Sequence, residues 1–308
     1  MVTCFDRETK SQGGVLTMGV FDGIHRGHRH LLSTCLTIAR RLDTFVEVWI
    51  FHPHPRSILR GIEVPALTTV EERIALLHEL GVSRVRVITF TKQFSTLSAE
   101  EFVTEWIQTL AAPRAVVLGY DHRFGSERRG SSDLLRQMGL IVEEVPPYKE
   151  GGEPISSSRI RKLLAEGMVR AARVLLGYPF TITGIVRAGK GEARRLGIPT
   201  ANIPYPMEKV RLAAGIYIGW VHIDPVPVMP REGGLPGLLY IPPAGDAEVH
   251  ILDRTLPELY GRKLSVGFWE YLRPHKAFAT PEELHAAISS DLEKAREHFR
   301  GVQDNKWP

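Results

Sequence analysis

The chain has 308 residues, 43% of them hydrophobic and 24% charged, with a net charge of +4. That length suits two domains, and the composition is that of a globular protein able to bury its cores. The charge lacks the clustered basic face of a nucleic-acid binder, and Cys4 and Cys35 are too few for a disulfide framework or a cysteine zinc site.

No uncharged apolar run approaches the ~18 residues of a membrane span. Residues 1–10 carry no signal-peptide pattern, so a cytoplasmic, reducing location is expected. Residues 13–21 read as a buried strand. A helical stripe follows at Leu31, Leu32, Cys35, Ile38, Ala39 and Leu42, which makes Cys35 a small core residue. Residues 44–51 read as strand, and a helix runs from Thr69 as N-cap to Gly81 as its stop. A strand at 85–90 precedes a helix opened by Ser98 and Glu101, a capping-box pair. Strand 114–120, helix 131–139, strand 140–147 and helix 156–167 complete the run. Such alternation predicts an α/β domain of Rossmann-like type. Its parallel sheet is covered by helices, and its ligands lie beyond the carboxyl ends of the strands.

Near residue 178 the pattern changes. Short strands at 180–189, 215–224, 237–241, 247–253 and 263–273 alternate with Gly and Pro clusters, one of them at 224–237. They predict an antiparallel β-barrel. A last helix is opened by Thr280, Pro281 and Glu283, with Leu284, Ile288, Leu292, Ala295 and Phe299 as its core stripe. The expected domains are therefore 1–178 and 179–308.

Two stretches carry chemistry. In "FDGIHRGHRH", residues 21–30, Gly23 and Gly27 allow a tight turn after the first strand, and a helix starts near His28. Free N–H groups and the positive helix end make that an anion site. His25 and His28, three positions apart, can both face one phosphate. The same residues also fit a solvated helix start, or a metal site completed by His30. No Walker-type G-x-x-x-x-G-K-[ST] occurs. In "ISSSRIR", residues 155–161, three serines open a helix and Arg159 and Arg161 follow. Hydroxyls, helix-start amides and guanidinium groups hold phosphate oxygens, although an ordinary N-cap with solvated arginines fits as well.

These stretches occur in order with "FHPHP" (51–55), "LGYDHRFG" (118–125), "GKGEARRLGIPTANI" (189–203) and "EVHILD" (248–253). Over nearly its whole length the chain resembles the bacterial bifunctional riboflavin kinase/FMN adenylyltransferase family. The resemblance implies a nucleotidylyltransferase domain followed by a riboflavin-kinase barrel, with riboflavin, FMN and ATP as substrates and Mg²⁺ as cofactor. It implies that His25 and His28 stabilise charge as the FMN phosphate attacks the α-phosphate of ATP, without a covalent enzyme intermediate. Gly19, Phe21, Gly27, Ser156, Ser157 and Arg161 would bind ATP there, and Pro53, His54 and Asp121 would shape the flavin side. In the kinase half, Glu248 would take the proton of the riboflavin 5′-hydroxyl. Thr200 and Asn202 would bind Mg²⁺ and phosphates, and Gly189 and Gly191 belong to a loop over the nucleotide. Small molecules are the implied partners, neither nucleic acid nor membrane, and no oligomeric state follows.

The chain also departs from the family. His52 stands where Glu is common, and Tyr120 and His122 replace a polar residue and a Phe. The N-I-G-x-R-P-T stretch ahead of E-V-H, which lies near flavin and nucleotide in the family, is replaced by the shorter "GLLYIPPAGDAEVH". Three other readings therefore stand beside the bifunctional one. They are an enzyme with one activity retained, a flavin-binding protein with a retired site, and a metal-dependent hydrolase using His25, His28, His30, His52 and His54. On the phosphate reading, His30 is expected to face solvent.

Overall fold

The structure, a computed structural model, describes residues 13–189, 197–224, 234–253 and 259–304. The chain divides into two compact units, Met1–Ser157 and Ser158–Pro308. That division falls ahead of the change of pattern at 178. The helices in between go with the second unit: Val169–Leu176 packs on its longest strand, where the Arg173 guanidinium lies 3.3 Å over the Trp269 ring.

The first unit is a parallel sheet built from β1 (Val15–Gly19), β2 (Val46–His52), β3 (Arg84–Thr89), β4 (Ala115–Gly119) and β5 (Val142–Val145), in the order β3-β2-β1-β4-β5. The central strands bury both faces, so they are mainly apolar rather than alternating, with Thr17 and Glu47 as buried polar positions. Helix α1 (Arg26–Arg41) buries Leu32, Cys35, Ile38 and Ala39 of the expected stripe, while Leu31 and Leu42 are half-buried and Leu42 is the C-cap. Burial pushes the Cys35 thiol up to about 12, which leaves it an inert core residue. Thr69 caps α3 (Val70–Glu79) and, with Glu72, completes a capping box.

The helix opened by Ser98 and Glu101 forms with its capping box, but from Phe102 to Ala111 it widens into a π-helix. Its buried residues are Phe102, Val103, Ile107, Leu110 and Ala111. They pack with Trp49, Phe51 and Phe124 in one core.

The second unit is an antiparallel sheet. Its strands are β8 (Thr181–Ile185), β9 (Ala201–Ile203), β10 (Gly215–Ile223), β11 (Leu235–Ile241), β12 (Ala247–Ile251) and β13 (Lys263–Pro274), in the order β8-β13-β10-β11-β12-β9. The strand β9 has no counterpart in the periodicity reading. Its Asn202 carbonyl accepts from the Arg187 N–H at 2.9 Å, a bridge that draws the two edge strands together into a near-closed barrel. The last helix, α9 (Pro281–Asp304), buries Leu292, Ala295 and Phe299 against Trp220 and Trp269. Thr280 caps it, while the Glu283 carboxylate reaches back to the N–H of Ala279, one residue earlier than a capping box requires. Other elements are the helices α4 (Lys92–Ser95), α5 (Ala99–Glu101) and α6 (Ser132–Gln137), a small antiparallel pair of β6 (Lys149–Glu150) and β7 (Glu153–Pro154), and the helices α7 (Ser157–Ala165) and α8 (Val169–Leu176).

Candidate active sites

In the first unit the strand order reverses around β1, which has β2 on one side and β4 on the other. A crevice outside the carboxyl ends of these strands is the standard ligand position in such a sheet. The sequence motifs fall there. "FDGIHRGH" follows β1, His52–His54 lie at the end of β2, and Asp121 lies just past β4.

The turn after β1 is held in an unfavourable backbone shape. Phe21 (φ 52°) and Ile24 (φ 36°) both take left-handed conformations, which cost on the order of 1–3 kcal/mol each for such side chains. Neighbouring groups enforce this shape. The buried Asp22 carboxylate accepts from the N–H groups of Leu67 and Thr68 at 2.9 and 3.1 Å and pairs with Arg73 at 3.1 Å. Arg73 also donates to the Val20 carbonyl at 2.8 Å, and the Gly23 N–H donates to the Thr68 hydroxyl at 3.0 Å. Asp22, Thr68 and Arg73 were not singled out from the sequence. They act across 45 residues or more of chain, and no local pattern announces them.

His25 is the N-cap of α1: its Nδ1 accepts from the His28 N–H at 3.2 Å. A neutral His25 therefore carries its proton on Nε2. The two imidazoles stack with centroids 3.6 Å apart and planes 15° from parallel. A Cβ at Gly27 would lie 3.2 Å from the His25 ring, so glycine keeps this stack open. His28 is half-buried, and its Nδ1 has no hydrogen-bond partner among the described residues. Burial first, then His25, then Arg73 hold its proton affinity well below that of an ordinary histidine. His28 is thus an uncharged ring near neutral pH and gains a favourable counter-charge when a polyphosphate arrives.

The serine-rich stretch reaches the same turn. The Ser157 hydroxyl donates to the Asp22 carbonyl at 2.9 Å, and the Ile155 carbonyl lies 3.8 Å from a Cβ placed on Gly27. Arg161 sits one turn further along α7 on the face of Ser157. His54 caps a short helix, α2 (Pro55–Arg60), through its Nδ1. Pro53, joined to His52 by a cis bond, lines a cavity with Ser57, Phe90 and Lys92. His30 does not simply face solvent: it is half-buried, its ring 5.6 Å from that of Tyr148. Among the described residues no three His, Cys, Asp or Glu side chains converge as a metal site.

His122, in place of the family's Phe, has a cost that can be measured. Its Nε2 is buried without a partner among the described residues. Burial pushes its pKa down to about 4, with Asp121 opposing and Arg128 and Arg123 assisting. In the unfolded chain this histidine takes a proton below about 6.5, while the folded site refuses it until about 4. The unfolded state binds more protons in that window, so stability falls as the pH drops through it, by about 3 kcal/mol in all. His122→Phe should remove that loss. Urea midpoints of wild type and variant should separate progressively from pH 6.5 to 4, and parallel curves would refute the assignment.

The second unit holds a cavity of about 640 Å³ between the outer face of the barrel and α9. On β12, Ala247, Val249 and Ile251 point into the core, which turns Glu248 and His250 to the cavity. Glu248 is flanked in register by Asn202 on β9 and Tyr240 on β11. The Thr200 hydroxyl donates to Glu248 Oε2 at 3.3 Å. The altered segment forms a regular hairpin, with Leu238 opposite His250 and Tyr240 opposite Glu248, so the departure from the family leaves the carboxylate in a paired strand. The opposite wall includes Asp291 of α9. Its carboxylate is gripped by Arg273 of β13 at 2.6–3.0 Å, which pins helix to barrel. Sequence reading missed Tyr240, His275 and this ion pair. Gly191 lies outside the described residues. A Cβ on Gly189 would fall 2.1 Å from the Asn202 amide nitrogen, so glycine lets the loop backbone press against that side chain.

A parallel sheet with a glycine turn, a helix start and two stacked histidines at its switch point, and a barrel with a carboxylate facing a cavity, together have the two-unit architecture of an enzyme of nucleotide and phosphoryl chemistry. Residues 7–159 match the FAD synthetase family model and residues 176–299 the riboflavin kinase model. Curated relatives named bifunctional riboflavin kinase/FMN adenylyltransferase are 34% identical in Escherichia coli strain K12, over 95% of both chains, and 35% identical in Pseudomonas fluorescens, over 92% of this chain and 93% of that one. The chain belongs to the bifunctional riboflavin kinase/FMN adenylyltransferase family. A crystal structure described as a macrolide-efflux protein from Streptococcus pneumoniae shares the fold, with a TM-score of 0.85 at 26% identity over 94% of this chain and 96% of that one. No helix among the described residues is long and apolar enough to cross a membrane.

Proposed function

We propose that the barrel unit phosphorylates riboflavin to FMN through Glu248, and that the parallel-sheet unit adenylylates FMN to FAD through His25 and His28. The observation that carries this reading is the line Asn202–Glu248–Tyr240 across three adjacent strands, with Thr200 on the carboxylate and a cavity of mixed apolar and polar lining in front. In the kinase step the riboflavin 5′-hydroxyl passes its proton to Glu248 as its oxygen attacks the γ-phosphorus. The bond to the bridging oxygen breaks and ADP leaves. Thr200 and Asn202 offer hard hydroxyl and amide oxygens beside the carboxylate, a donor set that suits Mg²⁺. Bound there with the nucleotide, Mg²⁺ supplies charge neutralisation on the phosphates.

In the adenylyl transfer an FMN phosphate oxygen attacks the α-phosphorus of ATP and pyrophosphate leaves. The α1 N-terminus, His25 and His28 stabilise the charge on the transferring group. Ser156, Ser157, Arg161, Gly19 and Phe21 contribute to the phosphate side, and Pro53, His54 and Asp121 to the flavin side. Purified protein with riboflavin, ATP and Mg²⁺ should yield both FMN and FAD on chromatography, and with FMN and ATP it should yield FAD and pyrophosphate. FAD from FMN without FMN from riboflavin would leave one activity. Tight flavin binding without any product would make the chain a flavin-binding protein.

A further inference from the structure

The cavity beside Glu248 has an aromatic pair that the kinase mechanism above does not use. Tyr240 stands directly opposite Glu248 in the β11–β12 register, so the two side chains rise from the same face as cross-strand neighbours. Its hydroxyl meets Nδ1 of His275 at 2.9 Å, and the two rings lie 5.9 Å apart and 28° from parallel. His275 comes from the segment between β13 and α9 and is itself tied down, its N–H donating to the Ala214 carbonyl at 3.0 Å. The hydrogen bond therefore links the strand wall of the cavity to its rim. Both residues line the cavity with Glu248, while Ile198, Ile216 and Leu238 give it an apolar wall.

We propose that Tyr240 and His275 form a flavin-positioning pair for riboflavin phosphorylation. Tyr240 contacts the flat ring system of riboflavin, and His275 acts as a positioning residue that fixes the plane of the Tyr240 ring. A flat tricyclic ligand needs apolar walls with an aromatic face to stack on and few polar fixing points. An unheld tyrosine at a rim has two side-chain torsions to settle when the ligand arrives. One held by His275 meets the ligand already placed. The pair joins two distant parts of the chain, Tyr240 on β11 and His275 after β13. The inference rests on the kinase reading of this cavity.

The full chain is assayed for riboflavin phosphorylation, for riboflavin binding by fluorescence titration without ATP, and for FAD formation from supplied FMN. A single hydrogen bond is worth about 0.5–1.5 kcal/mol, or roughly two- to tenfold in affinity. Tyr240→Phe and His275→Ala should each raise the riboflavin KM and Kd by about that factor, with kcat within about twofold and the ATP KM unchanged. The double variant should be little worse than either single one, because the bond is lost once. His275→Gln, which keeps a partner for the phenol, should recover most of the affinity. Tyr240→Ala, which removes the stacking face, should lose more than Tyr240→Phe. FAD formation from FMN should be unchanged in all of them, and the unchanged ATP KM of riboflavin phosphorylation shows that the barrel unit is folded. Wild-type riboflavin affinity in both single variants, or fully additive losses in the double, would overturn the pair. A wild type that binds riboflavin but makes no FMN would overturn the kinase reading, and the binding titration would still decide on the pair.

Discussion

Glu248→Gln is expected to lower riboflavin phosphorylation by about 10²- to 10⁴-fold, the usual worth of a positioned general base. The side chain keeps its size, and the amide still offers an oxygen to the Thr200 hydroxyl that now donates to Glu248 at 3.3 Å. The strand pairing of Asn202, Glu248 and Tyr240 uses backbone groups and is untouched by the change. What disappears is the ability to take the 5′-hydroxyl proton during attack. Because proton transfer belongs to the transition state, the loss should fall on kcat, with the riboflavin KM within about threefold. FAD formation from supplied FMN should remain at the wild-type rate. A Gln variant with wild-type kcat would place the base elsewhere, and equal loss of both activities in folded protein would argue against two separate sites.

The sequence reveals those parts of this molecule that are local. The α1 stripe through Leu32, Cys35, Ile38 and Ala39, the Ser98–Glu101 capping box and the Thr280 cap are short-range patterns that form where the residues place them, and only the stripe's expected end at Leu42 falls outside the helix, as its C-cap. The switch from α/β alternation to short strands likewise marks the two architectures. Residues that act across distance are silent in the sequence. Glu47 and Arg86 read as strand positions, yet they form a buried ion pair at 3.1 Å between β2 and β3. Leaving either alone would strand a charge in the core. Asp22 sits inside the recognised motif, but its task depends on Thr68 and Arg73 far along the chain. Tyr240 becomes meaningful only when the β11–β12 register sets it opposite Glu248, and His275 only when the β13–α9 link brings it to the phenol.

His28→Ala should lower FAD formation from FMN by roughly 10²- to 10³-fold, the range for removing one preorganised donor at a developing charge, and leave riboflavin phosphorylation unchanged. Three features make this loss catalytic rather than structural. The His28 ring stacks on His25, but its Nδ1 makes no hydrogen bond among the described residues, so truncation strands no partner. The N-cap bond of α1 uses the backbone N–H of residue 28, which alanine retains. The left-handed turn before it is fixed by Asp22, Thr68 and Arg73, none of which depends on the imidazole. Melting curves of His28→Ala should therefore lie close to wild type. His25→Ala, by contrast, also loses the cap, worth about 1 kcal/mol. His28→Gln separates two contributions, since it restores a neutral donor but not a group that can become cationic beside phosphate. Substantial recovery by Gln would assign the effect to hydrogen bonding, and none would assign it to charge. If His28→Ala kept the wild-type rate of FAD formation, the stacked pair would be a helix cap and nothing more.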